Sequence, residues 1–159
     1  MLSKISTEPV KTDNYEVGAY SNISNWLQLN ASFFYTYSKL GSDLVIENGF
    51  WVVNRKPQKV YGVELSADAR LLSNLKSGVN FTWMEGKVKS DEGKWDAYMS
   101  NISIPAPKLA LYINYEPLRN TYVNLQYVHT GKRDRFSTNE NGKYNEGEGI
   151  VKRINLVNM

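Results

Sequence analysis

The sequence predicts an all-β protein, an antiparallel up-and-down meander of six to seven strands with long loops at one end. Three observations carry this. Apolar and polar residues alternate with period two over segments of strand length, and no segment shows the 3.6-residue period of a helix. The links between segments are short and long in turn. Tyr and Trp fall toward the ends of the apolar tracks, not along their middles.

The chain before Pro9 is polar and reads as irregular. Residues 13–20 alternate, with Tyr15, Val17 and Ala19 on one side, and residues 21–25 form a turn cluster. Residues 26–38 read as a strand starting at Trp26. Leu27, Leu29, Ala31, Phe33, Tyr35 and Tyr37 share one face, and Gln28, Asn30, Ser32, Thr36 and Ser38 share the other, with Phe34 as the exception.

The connection over residues 39–58 contains its own hairpin signal. Residues 44–47 and 50–53 flank Asn48-Gly49, a pair that tolerates the positive φ of a tight turn. Pro57 can open a strand without forfeiting an interior ladder bond. Residues 59–87 form the longest hairpin. Tyr61, Val63, Leu65, Ala67, Ala69 and Leu71 oppose Glu64, Ser66, Asp68 and Arg70 on the first arm; Leu75, Val79, Phe81 and Trp83 oppose Lys76, Asn80 and Thr82 on the second. Residues 72–74 join the two arms.

After a link over residues 88–105, residues 108–115 alternate with Leu109, Leu111, Ile113 and Tyr115 on one face. A turn at 116–120 leads to residues 121–129, with Val123, Leu125 and Tyr127 against Asn124 and Gln126. A third polar link, residues 130–149, precedes an apolar piece at 150–157 whose faces the pattern leaves unassigned. In an up-and-down meander, all short turns then lie at one end and all long loops at the other.

The totals bound the function. The chain has 159 residues, 42% hydrophobic and 13% aromatic, which suits one domain. A net charge of +3 from 19 basic and 16 acidic residues gives no footprint for nucleic acid. Cysteine is absent, so there is no disulfide framework or thiolate chemistry. No run approaches the roughly 18 apolar residues of a transmembrane helix, but transmembrane strands escape that test because half their residues are polar. Residues 1–5 carry no apolar core of signal-peptide length, so either export does not rest on them or the true beginning lies upstream.

On the apolar tracks, Tyr15, Tyr35, Tyr37, Tyr61, Trp83 and Tyr127 lie toward the long-loop ends, and Trp26 and Tyr115 lie near the short turns. Two aromatic bands around an aliphatic zone are what a bilayer demands of a barrel's outer face, and strands of about 9–11 residues cross its oily layer. The expected fold is therefore a transmembrane β-barrel wall whose apolar stripe meets lipid. A soluble ligand-binding β-barrel, with Leu29, Leu65, Phe81 and Leu111 inside one closed shell, is the alternative; a small outer-membrane barrel with a structural or adhesive role is another.

Several segments resemble TonB-dependent outer-membrane receptors. Glu8-Pro9 followed by Tyr15-Glu16-Val17-Gly18 is similar to the start of a late barrel hairpin, though that family usually has Pro before Glu. Phe33-Phe34-Tyr35-Thr36-Tyr37, Val60-Tyr61-Gly62-Val63-Glu64-Leu65, Ile104-Pro105-Ala106-Pro107-Lys108-Leu109 and Gly131-Lys132-Arg133-Asp134 also resemble family segments, in the family's order. Such receptors combine a plug domain with a barrel of about 22 strands. The resemblance implies that residues 1–159 are a partial transmembrane β-barrel, without plug or remaining strands. It further implies a Gram-negative outer-membrane location, import of an iron chelate such as a ferric siderophore, and energy from the TonB complex acting through the plug. The expected partners are outer-membrane lipid, the missing strands and plug, and the substrate.

No catalytic constellation is present and no cofactor is expected. His129 is the single histidine, which leaves no His-rich metal site and no Ser–His relay. Asp91-Glu92 lacks the spaced oxygens of a calcium loop and reads as a solvated turn. Glu16, Glu64, Asp68 and Arg70 read as a hydrated inner wall with cross-strand charge pairs. Ligand contact is expected from the long loops, where Trp51, Trp95 and Tyr98 can stack on a planar group and Arg55, Lys56, Arg133 and Arg135 can meet an anion.

Overall fold

A computed structural model of the chain describes residues 9–47, 49–136 and 149–159. The segment before Pro9, Glu8 of the Glu-Pro pair, Asn48 of the Asn-Gly turn and most of the third long link lie outside the described residues. Ten strands are present among the rest: β1 (Thr12–Ser24), β2 (Leu27–Ser38), β3 (Asp43–Glu47), β4 (Phe50–Asn54), β5 (Gln58–Leu72), β6 (Leu75–Val88), β7 (Ala97–Tyr98), β8 (Lys108–Tyr115), β9 (Val123–Thr130) and β10 (Ile154–Asn158).

Seven of them form the antiparallel meander β1-β2-β5-β6-β8-β9-β10, the expected path, and the sheet does not close on itself. The β3–β4 hairpin stands apart, with Gly49 at φ 79° in the two-residue connection implied by the pairing of Glu47 with Phe50. Two-residue strand β7 pairs with the end of β6 beyond the reach of β8. Two residues carry too little alternation to be read from sequence.

The boundaries of β1, β2, β9 and β10 differ from expectation, β10 covering Ile154–Asn158 where the apolar piece was expected over residues 150–157. β1 runs on to Ser24, because Tyr20, Ser21 and Asn22 pair with Asn30, Leu29 and Gln28, and polar side chains cost little on an exposed face. The turn shrinks to Asn25-Trp26, so Trp26 sits in the turn and not in β2. There its carbonyl accepts the Arg70 N–H at 2.7 Å. β9 begins at Val123, not Thr121, because Thr121 N–H closes the preceding turn onto the Leu118 carbonyl at 3.1 Å, with Asn120 at φ 65°. Asn is among the few side chains that accept that conformation.

Register sorts the two faces across the whole sheet. One row reads Val17, Phe33, Val63, Trp83; the next reads Ala19, Ala31, Leu65, Phe81, Leu109, His129, Asn155. The opposite face has rows such as Gly18, Ser32, Glu64, Thr82, Lys108, Thr130 and Asn22, Gln28, Asp68, Gly78, Tyr112, Gln126. The apolar face is not an interior: Leu29 is 38% exposed, Leu65 47% and Leu111 40%. The closed soluble shell is thereby ruled out for the described sheet.

Phe34, the exception on the polar face of β2, lies across Gly62 of β5. A Cβ at Gly62 would come within 2.7 Å of the Phe34 ring and 2.5 Å of the Trp83 carbonyl oxygen. The same device recurs on β6, where Gly78 lets the Tyr112 ring cross to the Asp68 carboxylate and donate its hydroxyl. An aromatic laid over a cross-strand glycine recovers the contact the glycine lacks. Asp68, expected in a cross-strand charge pair, accepts a tyrosine hydroxyl instead.

We expect Gly62→Val to destabilise the sheet by about 1–3 kcal/mol through overpacking. Gly18→Ala, whose Cβ would lie 3.4 Å from the Ala31 carbonyl oxygen, is expected to cost far less. Denaturant titration of the intact protein in detergent compares the two; equal midpoints would contradict the close-approach reading.

Candidate functional site

Among the described residues, the buried hydrophobic cluster sits at the long-loop end. Val88, Met99 and Ile104 form it, with Val60, Met84 and Ala97 packed against them. Val60, Met84 and Val88 belong to the polar face by register, so the loop after β6 folds back over the upper part of that face. Gly86 makes this possible, since a Cβ there would stand 2.6 Å from the Met99 sulfur and 2.7 Å from Ile104. The Met99 N–H then reaches the Gly86 carbonyl at 3.1 Å.

A buried carboxylate ties the first long loop to the second. Asp43 Oδ2 accepts the Ser100 N–H at 3.0 Å, and its Oδ1 accepts the hydroxyls of Ser100 at 2.7 Å and Ser103 at 2.6 Å. Three donors satisfy a side chain that is 3% exposed, which is what makes its burial tolerable. Lys89 N–H to the Pro57 carbonyl, 2.9 Å, joins the same loops at their bases. The Lys56–Asp91 ion pair at 2.9 Å adds little, because it is exposed.

A second buried carboxylate holds the start of the third loop. Glu85 Oε1 accepts Arg133 Nη1–H at 3.2 Å, and Arg133 Nη2–H reaches the Met99 carbonyl at 3.4 Å. Arg135 Nη2 stands 3.1 Å from Glu85 Oε2 without hydrogen-bond geometry, so that contact is an ion pair only. Arg133 also bridges Val151 through two backbone bonds and lies over the buried Phe136 ring.

Two exposed loop carboxylates are held below the ordinary range. Asp134 is stabilised first by the Lys132 hydrogen bond and then by the Lys132 charge, and Asp96 first by the Ser90 hydroxyl. Their small contributions are present above the ordinary carboxylate pKa and fade as pH falls through the depressed one.

The loop residues expected to touch ligand are dispersed. Trp51 is 62% exposed on β4. Arg55 is half-buried just beyond that strand. Trp95 packs edge-on against Tyr37 and lies under Lys59, while Tyr98 lies under Lys87. Arg133 is buried; Arg135 keeps half its side chain open to solvent.

Among the aromatics placed at the tract ends, Tyr15, Tyr35 and Tyr61 occupy one row of the apolar face. Tyr37 lies one row beyond it toward the loops and Trp83 one row before it, touching Tyr61 edge-on. The Tyr127 hydroxyl and His129 both bond Asn155 Oδ1, at 2.9 and 2.7 Å. Tyr115 shares the opposite end with Leu75 and Val123, and Trp26 is 53% exposed in its turn.

Sequence reasoning missed Glu85, Asp43, Ser100, Ser103, Lys59 and Lys87. Glu85, Lys59 and Lys87 had a signal, since each is a charge on an apolar track. Asp43 had none, because its partners are 57 and 60 residues away.

A family model for the TonB dependent receptor-like β-barrel matches residues 5–156. The chain belongs to this family. Among solved structures, the copper transporter OprC superposes with a TM-score of 0.78 at 19% identity, over 96% of this chain and 23% of that one. The FrpB iron transporter from Neisseria meningitidis follows at 0.68 and 15%, over 96% and 23%. The ferric-catecholate import receptor Fiu from E. coli K12 gives 0.63 and 15%, over 94% and 20%. This TonB-dependent barrel segment thus spans between a fifth and a quarter of the structures it resembles. Its family is one of transporters.

We expect Asp43→Ala to cost about 1–3 kcal/mol locally, through the buried donors left unpaired. Hydrogen exchange in the intact receptor should quicken over residues 96–106 and stay unchanged in β5 and β6. Unchanged exchange in the loop would show that the carboxylate does not hold it.

Proposed function

We propose that this chain forms part of the wall and loop end of a Gram-negative outer-membrane receptor that imports a metal chelate, an iron chelate such as a siderophore foremost. The observation that carries the proposal is a seven-strand sheet with one continuous apolar, exposed face and one polar face. Lipid on the first and a hydrated lumen on the second satisfy both.

The structural neighbours handle copper, iron and ferric catecholate, which supports a metal-bearing cargo. In this reading Tyr15, Tyr35, Tyr37, Tyr61, Trp83 and Tyr127 lie toward the outer boundary of the lipid and Trp26 and Tyr115 toward the inner one. The polar face, with Glu16, Glu64, Asp68 and Arg70, opposes the plug. Transport then draws on the TonB complex acting through that plug, and catalysis plays no part. Trp51 and Arg135 are the most open of the loop residues and the first to meet a planar anionic chelate; Arg55, Trp95, Tyr98 and Arg133 support the surface behind them.

The test uses the intact receptor. Deleting its gene should abolish growth on one chelate among ferric catecholate, ferric hydroxamate and haem under iron limitation, and loss of TonB should do the same. That chelate should quench the purified receptor's tryptophan fluorescence, and Trp51→Ala should weaken binding by about 3- to 10-fold. Unaltered growth on all three, without quenching, would remove iron chelates as the cargo.

A further inference from the structure

On the apolar face, one row beyond Tyr35 and Tyr61, stands the row Asp13, Tyr37, Lys59, Lys87, Tyr98. Lys59 and Lys87 are direct cross-strand partners. Like charges directly opposite one another destabilise a sheet, so the pair calls for an anion. Each lysine is instead laid on a ring brought by the loop after β6. Lys59 Nζ is 4.7 Å from the centroid of Trp95 and Lys87 Nζ is 3.2 Å from that of Tyr98. Ring faces hold and orient ammonium groups without neutralising them.

The surrounding carboxylates are committed elsewhere. Glu85, one row nearer the strand middles, belongs to Arg133 and Arg135. Asp91 pairs with Lys56, Glu92 with Lys94 and Asp134 with Lys132. No ion pair joins Asp96 to either lysine among the described residues, and Asp13 is separated from Lys59 by the Tyr37 strand. Among the described residues, no ion pair includes Lys59 or Lys87.

We propose that Lys59 and Lys87, seated on Trp95 and Tyr98, bind the phosphate monoester of an anionic lipid headgroup at the loop-end rim of the apolar face. The inference rests on the reading that this face meets lipid. Lysines just outside an aromatic row stand at headgroup height, where their stems cover apolar surface and their ammonium groups meet phosphate. Trp95 and Tyr98 thereby serve a lipid site, not a chelate.

The test uses the intact receptor in phosphatidylcholine nanodiscs, titrated with diphosphorylated lipid A, dephosphorylated lipid A or inorganic phosphate, and native mass spectrometry as the readout. Diphosphorylated lipid A is expected to be retained by the wild type and roughly 30-fold more weakly by the Lys59→Gln/Lys87→Gln variant. Lys59→Arg/Lys87→Arg should retain it, and dephosphorylated lipid A should bind the wild type no better than the double Gln variant. If that variant does not fold, Lys87→Gln alone, expected to lose roughly 5-fold, decides. Equal retention by wild type and Gln variants overturns the proposal, as does inorganic phosphate binding as tightly as the lipid. A wild type that does not insert into nanodiscs would instead defeat the lipid-facing reading beneath it.

Discussion

Register is the constraint on which this structure depends. Side chains alternate between faces, so a slip of one residue in any ladder would carry Glu64 and Asp68 onto the apolar face and Leu65 and Ala67 off it. The polar face supplies much of what holds the ladders in place. Thr36 donates to Asn14 at 2.7 Å and Asn124 to Asn114 at 2.5 Å, each across one strand pair. Phe34 over Gly62 and Tyr112 over Gly78 add shape to these bonds, since each ring fits only where the facing residue has no side chain. Irregularities are confined to Asn22/Ser24 and Arg70/Leu72, both beside short turns, where a shift disturbs few rows.

The two ends of the sheet are stabilised differently. At the short-turn end, neighbouring turns brace one another: Glu116 N–H bonds the Asn74 carbonyl at 2.9 Å, and the Asn74 side chain returns to the Glu116 carbonyl at 3.1 Å. At the long-loop end, the loops carry their own apolar cluster and two buried carboxylates. Asp43 and Glu85 each make contacts that would be costly to break, because an unpaired buried charge has no water to fall back on. In the receptor proposed above, a loop surface held this way would meet a ligand already ordered, which lowers the entropy cost of binding.

How much of this was legible follows from the range over which each signal acts. Strand identity, face and order were readable because alternation is local and repeated, and β2, β5, β6 and β8 are long enough to show it. The end of β1 was misread because Ser and Asn signal turns in isolation, while a ladder partner on an exposed face overrides that preference. The start of β9 was misread in the opposite sense, because Thr121 continues the alternation while its N–H closes the turn onto the Leu118 carbonyl. β7 was invisible because it owes its existence to the free edge left on β6 above β8. Phe34 read as a flaw in the pattern until the glycine on the next strand was known to face it. The Asp43 link joins segments that no periodicity relates, and only the fold brings them together.

The charged interruptions of the apolar tracks also have an order. Going from the strand middles toward the long loops, the first polar residue met on the apolar face is Asp13 in β1, Lys59 in β5, Glu85 in β6, His129 in β9 and Asn155 in β10. In ladder rows on this face, Asp13 and Lys59 share the highest row, Glu85 falls one row lower, and His129 and Asn155 share a row two lower still. At the other edge β1 already places polar Ser21 in the row of Leu29, Leu111 and Tyr127, whereas Ile113, Tyr115 and Val123 keep the apolar face of β8 and β9 unbroken further down. A band whose two edges step together crosses the ladder rows obliquely. Strands tilted about 35–45° to a barrel axis produce this when a layer of constant thickness surrounds them. A patch made for a protein partner has no reason to follow that slope, so the slope is independent support for a lipid belt around this wall.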